Sequence, residues 1–99
     1  MENKVGYRII EIKTTMKDGI HFVFSSENVN VNPYKTKDEC RERLDDVLSG
    51  FKESHENYGS NKIVSSRRLS DDSYCFGFEN KKSQGMNYVI FQIIEVVIP

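Results

Sequence analysis

Two cysteines and two histidines are the side chains of this sequence best suited to nucleophilic or metal-binding chemistry. His21 and His55 lie 34 residues apart, and Cys40 and Cys75 lie 35 residues apart. Zinc sites usually contain pairs of ligands about two to five residues apart, so this spacing predicts no metal site. Neither cysteine has neighbours that would stabilise a thiolate, and no glycine-rich phosphate loop occurs. We therefore expect no cofactor and no enzymatic activity.

Charged side chains provide two further candidate sites. Glu11, Glu79 and Glu95 are expected on one face of a β-sheet, where carboxylates could form an acid–base group, but the sequence offers them no partner. A group of cations is the second candidate, because it could hold the anionic groups of a nucleotide. Its members would be Lys13, His21, Arg67 and Arg68.

Length and charge restrict the classes of function. A chain of 99 residues suits one domain, residues 1–99. The formal net charge of −1 argues against general nucleic-acid binding, which requires a basic surface. No signal-peptide pattern and no apolar run of membrane-helix length is found, so we expect a cytoplasmic protein without membrane contact. Abundant Asn, Lys, Ile and Ser suggest an AT-rich coding sequence and hence a bacterial or phage origin.

Five strands and one helix are predicted in the order ββ-α-βββ. Runs rich in aromatic and β-branched residues, separated by turn residues such as Asp18-Gly19, are typical of strands. This order predicts an α+β fold, in which a mostly antiparallel five-stranded sheet has one helix packed across one face. The predicted strands cover residues 7–16, 20–26, 62–69, 74–79 and 86–99.

The predicted helix begins after Thr36, whose spacing to Glu39 matches a capping box, and ends at Gly59. Its apolar positions recur at helical spacing and should face the sheet. Cys40 belongs to this stripe, whereas strand alternation directs Cys75 away from the helix, so no disulfide between them is expected. The stripe comprises Cys40, Leu44, Val47, Leu48, Phe51 and Tyr58.

The final 14 residues, 86–99, carry the strongest indication about function. Nearly every side chain in this segment is apolar, which is typical of a strand buried on both faces. A single helix can cover only one face of the sheet. The other face should therefore be covered by a second copy of the chain or by a partner protein.

Alternation along the strands should divide the apolar residues between the two faces. We predict that Ile10, Ile12, Phe76, Phe78 and Ile90 lie under the helix. The helix-free face would then mix apolar side chains with charges of both signs, as interaction surfaces often do. Its predicted contact residues are Val23, Val89, Phe91 and Ile93 as apolar anchors, with Glu11, Arg68 and Glu95 at the rim.

These observations favour a small non-enzymatic binding protein that acts by steric occupation of a partner's surface. Inhibitors, immunity proteins and phage counter-defence proteins are of this kind, and the partner would be another protein, the chain itself as a homodimer, or both. The alternative is a homodimer that sequesters a small ligand such as a nucleotide. A nucleic-acid binder and a small enzyme are the less favoured classes.

Overall fold

The computed structural model of the protein describes residues 4–17, 20–29, 32–57, 63–80 and 85–98. The predicted turn at residues 18–19 and the predicted helix end at Gly59 lie outside these ranges. Within them the chain forms five strands and one helix in the predicted order. The elements are β1 (Lys4–Lys17), β2 (Ile20–Asn28), α1 (Lys37–Asn57), β3 (Ile63–Ser70), β4 (Ser73–Asn80) and β5 (Gly85–Ile98).

The strands form one antiparallel open sheet with the order β2-β1-β5-β4-β3, which confirms the predicted α+β fold. The central pair, β1 and β5, has 14 residues in each strand and runs from Lys4 opposite Ile98 to Met16 opposite Met86. The first and last strands of the sequence therefore lie together at the centre of the sheet. This position leaves β5 with a paired strand at each of its edges.

Strand β2 is longer than the sequence predicts. Glu27 and Asn28 continue the strand and pair with β1, because the backbone hydrogen bonds of the ladder outweigh the low strand propensity of asparagine. After β2, the amide of Val29 donates to the carbonyl of Ile9, and Tyr34 also lies beside β1. There the amides of Tyr7 and Tyr34 each donate to the other residue's carbonyl oxygen at 2.8 Å. This bridge holds the connection to the helix against the sheet.

Helix α1 begins as the sequence predicts. The Thr36 hydroxyl accepts a hydrogen bond from the amide of Glu39 at 3.2 Å, which satisfies one of the free amides of the first turn. Cys40, Leu44 and Leu48 are buried against the sheet, which confirms that the apolar stripe faces inward. Burial of this stripe, rather than intrinsic propensity, supplies most of the stability of the helix.

The helix covers the face of β1 and β5 opposite to the predicted one. Ile9, Val89, Phe91 and Ile93 belong to the buried core under α1, and Phe91 is only 2% exposed. Phe76 of β4 is placed correctly, because it lies opposite Val89 and belongs to the same core. Alternation determines which residues share a face, but not which face of a strand that is apolar on both sides receives the helix. The prediction for β1 and β5 was therefore wrong.

Aromatic rings join the helix to the sheet. The ring of Phe51 lies 4.8 Å from that of Phe76 and 5.2 Å from that of Phe91, between centroids. His55 continues this cluster, since its ring centroid lies 4.2 Å from that of Phe51. Its Nδ1 atom lies 3.0 Å from the Phe51 carbonyl oxygen, which can only accept a hydrogen bond, so Nδ1 donates. Packing and this bond explain His55 without a chemical role.

Candidate functional site

The face of the sheet turned away from the helix is the candidate functional site, and we call it the open face. Because Ile9, Phe91 and their neighbours lie under α1, the residues that alternate with them point to the other side. These residues are partly buried beside one another, and none of them belongs to the core or packs against it. The centre of the open face is formed by Ile10, Ile12, Cys75, Ile90 and Ile94.

The central residues of the open face form one continuous apolar surface across three strands. Ile90 of β5 lies opposite both Ile12 of β1 and Cys75 of β4. Directly opposed side chains in antiparallel strands are about 5 Å apart at Cβ, so Ile90 is in contact range of both Ile12 and Cys75. Ile10 lies opposite Gln92, the only polar side chain of β5 on this part of the face.

One end of the open face is covered by the connection between β2 and α1. A Cβ atom on Gly6 would lie 2.8 Å from Cβ of Pro33 and 2.7 Å from Cδ1 of Ile98. The missing side chain of Gly6 therefore allows Pro33 and Ile98 to pack directly on the backbone of β1. Among the described residues of this connection, Pro33 and Tyr34 lie at the end of the sheet where Gly6 lies.

The opposite end of the open face is built around another glycine. A Cβ atom on Gly77 would lie 3.3 Å from Cε1 of Tyr88 and 3.4 Å from Cε of Met86, and it would overlap the hydroxyl of Ser65. The side chains of Tyr88 and Met86 therefore lie over the bare backbone of β4. This end is filled by side chains of the sheet itself, and no second layer lies on it in the described part of the chain.

Two buried polar atoms on the open face have no hydrogen-bond partner among the described residues: Nε of Arg8 and Oγ1 of Thr14. Thr14 is 4% exposed, and it lies opposite Tyr88. A buried donor or acceptor left without a partner costs about 1–3 kcal/mol. Both atoms are already covered by other atoms of the single chain, so they mark the tightly packed parts of this face.

The predicted apolar anchors are mostly not on this surface. Val89, Phe91 and Ile93 are buried under the helix, so their assignment to the helix-free face is wrong. Val23 lies opposite Thr14 on the edge strand β2 and is 66% exposed. Of the four predicted anchors, only Val23 lies on the open face.

The predicted rim residues lie on the helix-covered side. Glu11 pairs with Phe91, and Glu95 pairs with a β1 residue whose side chain packs against the core. Arg68 lies on the same side, since its guanidinium is 3.8 Å from Asp45 of the helix. Their assignment to the helix-free face is therefore wrong as well. The three predicted carboxylates do not converge, because only Glu79 points to the open face.

The structure does not bring the predicted anion-binding residues together. Lys13 pairs at 3.4 Å with Glu11 on the helix-covered side of β1. Arg67 and Arg68 are successive residues of β3, so they point to opposite faces, and two strands separate them from β1. The side chain of His21 lies outside what the structure describes.

The two cysteines lie on opposite sides of the sheet, as predicted, and both are free thiols. Burial raises the pKa of the Cys40 thiol, and the negative charge of Asp72 raises it further. Burial also raises the pKa of Cys75, against the opposing effect of nearby Arg67. Both thiols are therefore poorer nucleophiles at neutral pH than a free cysteine. Among the described residues, no group of three or more potential ligands could hold a metal ion.

Asp72, in the turn between β3 and β4, joins this turn to the start of the helix. Its carboxylate accepts from Nε of Arg41 at 2.8 Å and lies 3.0 Å from Nζ of Lys37. Its backbone carbonyl accepts from the amide of Ile93 at 2.8 Å. The sequence marks Asp72 only as a turn residue, since nothing in its local pattern indicates partners about 30 residues earlier. Arg41 and, to a lesser extent, Lys37 hold the pKa of the Asp72 carboxyl below its ordinary value.

We expect Asp72→Asn to lower the free energy of unfolding by about 1 kcal/mol at pH 7. When folding lowers the pKa of a carboxyl, that carboxyl stabilises the folded protein fully at pH values above its ordinary pKa of 3.8. The stabilisation is lost as the pH falls through the lower pKa that the carboxyl has in the folded protein. The difference from wild type should therefore shrink between about pH 5 and pH 2. Urea unfolding across this range measures it. The exposed neighbour provides a control, since Asp71→Asn should change stability by less than about 0.5 kcal/mol at any pH.

Comparison of the chain with protein-family models, with curated proteins and with solved structures finds no match. Within the described residues, no helix is both long and apolar enough to cross a membrane. In the described ranges, the fold is thus that of a small α+β domain with its helix, α1, on one side of the sheet.

Proposed function

We propose that this chain is a non-enzymatic binding protein that acts in the cytoplasm by occupying a protein surface with its open face. The observation that carries the proposal is the continuous apolar centre of that face, which no layer of the described chain covers. Inhibitors, immunity proteins and phage counter-defence proteins are the kinds of protein that work in this way, and a bacterial or phage source would suit them.

The size of the open face supports the proposal. The strands have 14, 9, 8, 8 and 14 residues. With a rise of about 3.3 Å per residue and a spacing of about 4.8 Å between strands, they span roughly 800 Å². This is the area of the whole sheet, including its edge strands and the end covered by Pro33. One side of a stable protein interface is about 800 Å², so the sheet is large enough to form one side of an interface with the apolar residues at its centre.

The position of Cys75 allows a direct test in a cell lysate. Cys75 lies at the centre of the open face, while Cys40 is fully buried, so only Cys75 should react with a maleimide. We expect Cys75 to be alkylated at least about tenfold more slowly in a fresh lysate than in highly diluted purified protein, because a bound protein excludes the reagent. Mass spectrometry of the two cysteine peptides measures both rates.

Two lysine substitutions control this experiment. Ile12→Lys places a charge on the open face and should abolish the protection of Cys75 in the lysate. Val97→Lys introduces the same charge on the helix-covered side, at a residue that is 63% exposed, and should leave the protection intact. Circular dichroism checks that both variants fold. Equal alkylation rates in the lysate and in diluted protein would show that the open face is not an occupied surface.

A further inference from the structure

We infer that the open face binds an acidic amphipathic helix of another protein, whose apolar stripe lies on the isoleucine centre and whose carboxylates contact the arginines beside it. This inference rests on the proposed function, because it states the chemistry of the partner for the same surface. The sign of the charges on the open face, their positions and the width of the apolar centre support it.

The charges of the open face are mainly basic. Among the described strand residues, register and alternation place Lys4, Arg8 and Arg67 on this face, together with a single acidic residue, Glu79. Lys4 lies at the end that Pro33 covers, and the two arginines lie closer to the apolar centre. None of the three basic side chains forms an ion pair with another described residue. An acidic partner would supply the missing counter-charges.

The opposite side of the molecule carries the opposite charge. Helix α1 contains seven acidic and four basic residues. The net charge of the whole chain, −1, conceals this separation of charge between the two sides. An acidic segment that approaches the molecule is therefore repelled by the helix side and attracted by the open face.

The two arginines lie on opposite flanks of the apolar centre. Arg8 on β1 is opposite Ile94, and Arg67 on β3 is opposite Cys75, which in turn is opposite Ile90. Because Ile90 and Ile94 are four residues apart on β5, the arginines are separated by about 13 Å along the strands. Across the strands they are three spacings apart, about 14 Å. Carboxylates on both sides of a segment that lies over β5 and β4 can therefore reach them.

The apolar centre has the width of a helix. Ile12, Ile90 and Cys75 lie on three neighbouring strands, and the outer two are about 10 Å apart. An α-helix with its side chains is about 10–12 Å in diameter, and 13 Å along its axis corresponds to about nine residues. The same sheet already packs an amphipathic helix on its other face, where α1 buries an apolar stripe and exposes acidic residues. A second helix would complete the three-layer arrangement in which helices cover both faces of a sheet.

A pair of synthetic peptides tests the inference. The acidic peptide has about 18 residues, with leucines that repeat every three or four positions, glutamates on both flanks of this stripe and alanines elsewhere. In the control peptide every glutamate is replaced by lysine. We expect the acidic peptide to bind with a dissociation constant below about 100 µM, at least about tenfold more tightly than the lysine peptide. Fluorescence anisotropy of labelled peptides measures both constants.

Alkylation of Cys75 locates the binding. At about 1 mM, the acidic peptide should slow the reaction of Cys75 with a neutral maleimide at least about tenfold, because a helix over Ile90 covers the thiol. Each rate is compared with that of the same variant without peptide, since Arg67 itself influences the pKa of the thiol. Binding of the acidic peptide that leaves this rate unchanged would place the peptide elsewhere and overturn the inference.

Two successive arginines provide matched charge variants. Arg67 lies on the open face, whereas Arg68 lies 3.8 Å from Asp45 of the helix, so reversing either charge changes the net charge equally on different sides. Arg67→Glu should weaken the acidic peptide about tenfold and strengthen the lysine peptide. Arg68→Glu should change both constants by less than about twofold. Circular dichroism checks that both variants fold.

The outcomes separate this inference from the proposed function. Equal affinities of the two peptides, binding of neither below about 1 mM, or equal effects of Arg67→Glu and Arg68→Glu overturn the inference. If the inference fails in this way while Cys75 is protected in the lysate and Ile12→Lys removes that protection, the partner is a protein of different chemistry and the proposed function stands. If a single-stranded DNA oligonucleotide protects Cys75 better than the acidic peptide does, the occupant is a nucleic acid and both proposals fail.

Discussion

Replacing Phe91 by alanine is expected to lower the free energy of unfolding by about 3–5 kcal/mol. Phe91 is 2% exposed, and its ring packs edge to face against Phe51 of the helix at 5.2 Å. Truncation removes the buried ring and leaves a cavity that the helix and sheet can fill only in part. A domain of this size has a total stability of about 5–15 kcal/mol, so the variant should be close to unfolding at 37 °C. Urea unfolding followed by circular dichroism measures the loss.

The neighbouring residue provides the matched control. Ile90 lies next to Phe91 on β5 but points to the open face, where it is only partly buried. Ile90→Ala should therefore cost about 1 kcal/mol in the single chain, well below the cost of Phe91→Ala. The comparison is made at about 1 µM protein, because association would add a stabilising contribution that depends on concentration. If Ile90→Ala cost as much as Phe91→Ala, the helix would have to lie on the other face.

Gly6→Ala is the second substitution with a large expected effect, and it should destabilise the protein by about 1–3 kcal/mol. The added Cβ atom would lie 2.8 Å from Cβ of Pro33 and 3.2 Å from the carbonyl oxygen of Tyr34. Neither atom belongs to a flexible side-chain end, so the connection must move away from β1. That movement strains the hydrogen-bonded bridge between Tyr7 and Tyr34. Thermal unfolding should show the loss as a lower midpoint, by about 4–8 °C per kcal/mol.

Replacing glycine by alanine should have the opposite effect on stability at Gly50. This glycine lies inside the helix, and an added Cβ would meet nothing within 4 Å. Gly50→Ala should stabilise the protein by about 0.5–1 kcal/mol, because alanine has the higher helix propensity and restricts the unfolded chain. Destabilisation by Gly50→Ala, or tolerance of Gly6→Ala, would contradict the packing described for these two positions.

The local patterns of the sequence were sufficient for the elements and the fold class. Thr36 caps the helix as predicted, and the spacing of Cys40, Leu44 and Leu48 identified its buried stripe, because a capping hydroxyl and a helical repeat act over a few residues. The contacts of Asp72 with Lys37 and Arg41 could not be predicted in the same way, since they join segments far apart in the chain.

The presence of apolar residues on both faces of β5 also follows from the sequence, but which of these faces the helix covers does not. Alternation correctly places Ile10 and Ile12 on one face of the sheet, and Phe91 and Ile93 on the opposite face. Glu11 and Lys13 alternate with these isoleucines, and because they are charged, their face was predicted to be the one without the helix. In the structure they pair with each other on the helix-covered side.

By itself, the sequence determined the number and order of the elements, the start of the helix and its buried stripe, and the apolar character of both faces of β5. Only the tertiary structure decided that the helix lies on the face of Phe91 and leaves Ile90 outward. The physical reason is that β5 is apolar on both faces, so its own pattern is equally consistent with either choice. The choice is made by its register with β4, which places Val89 beside Phe76 under the helix.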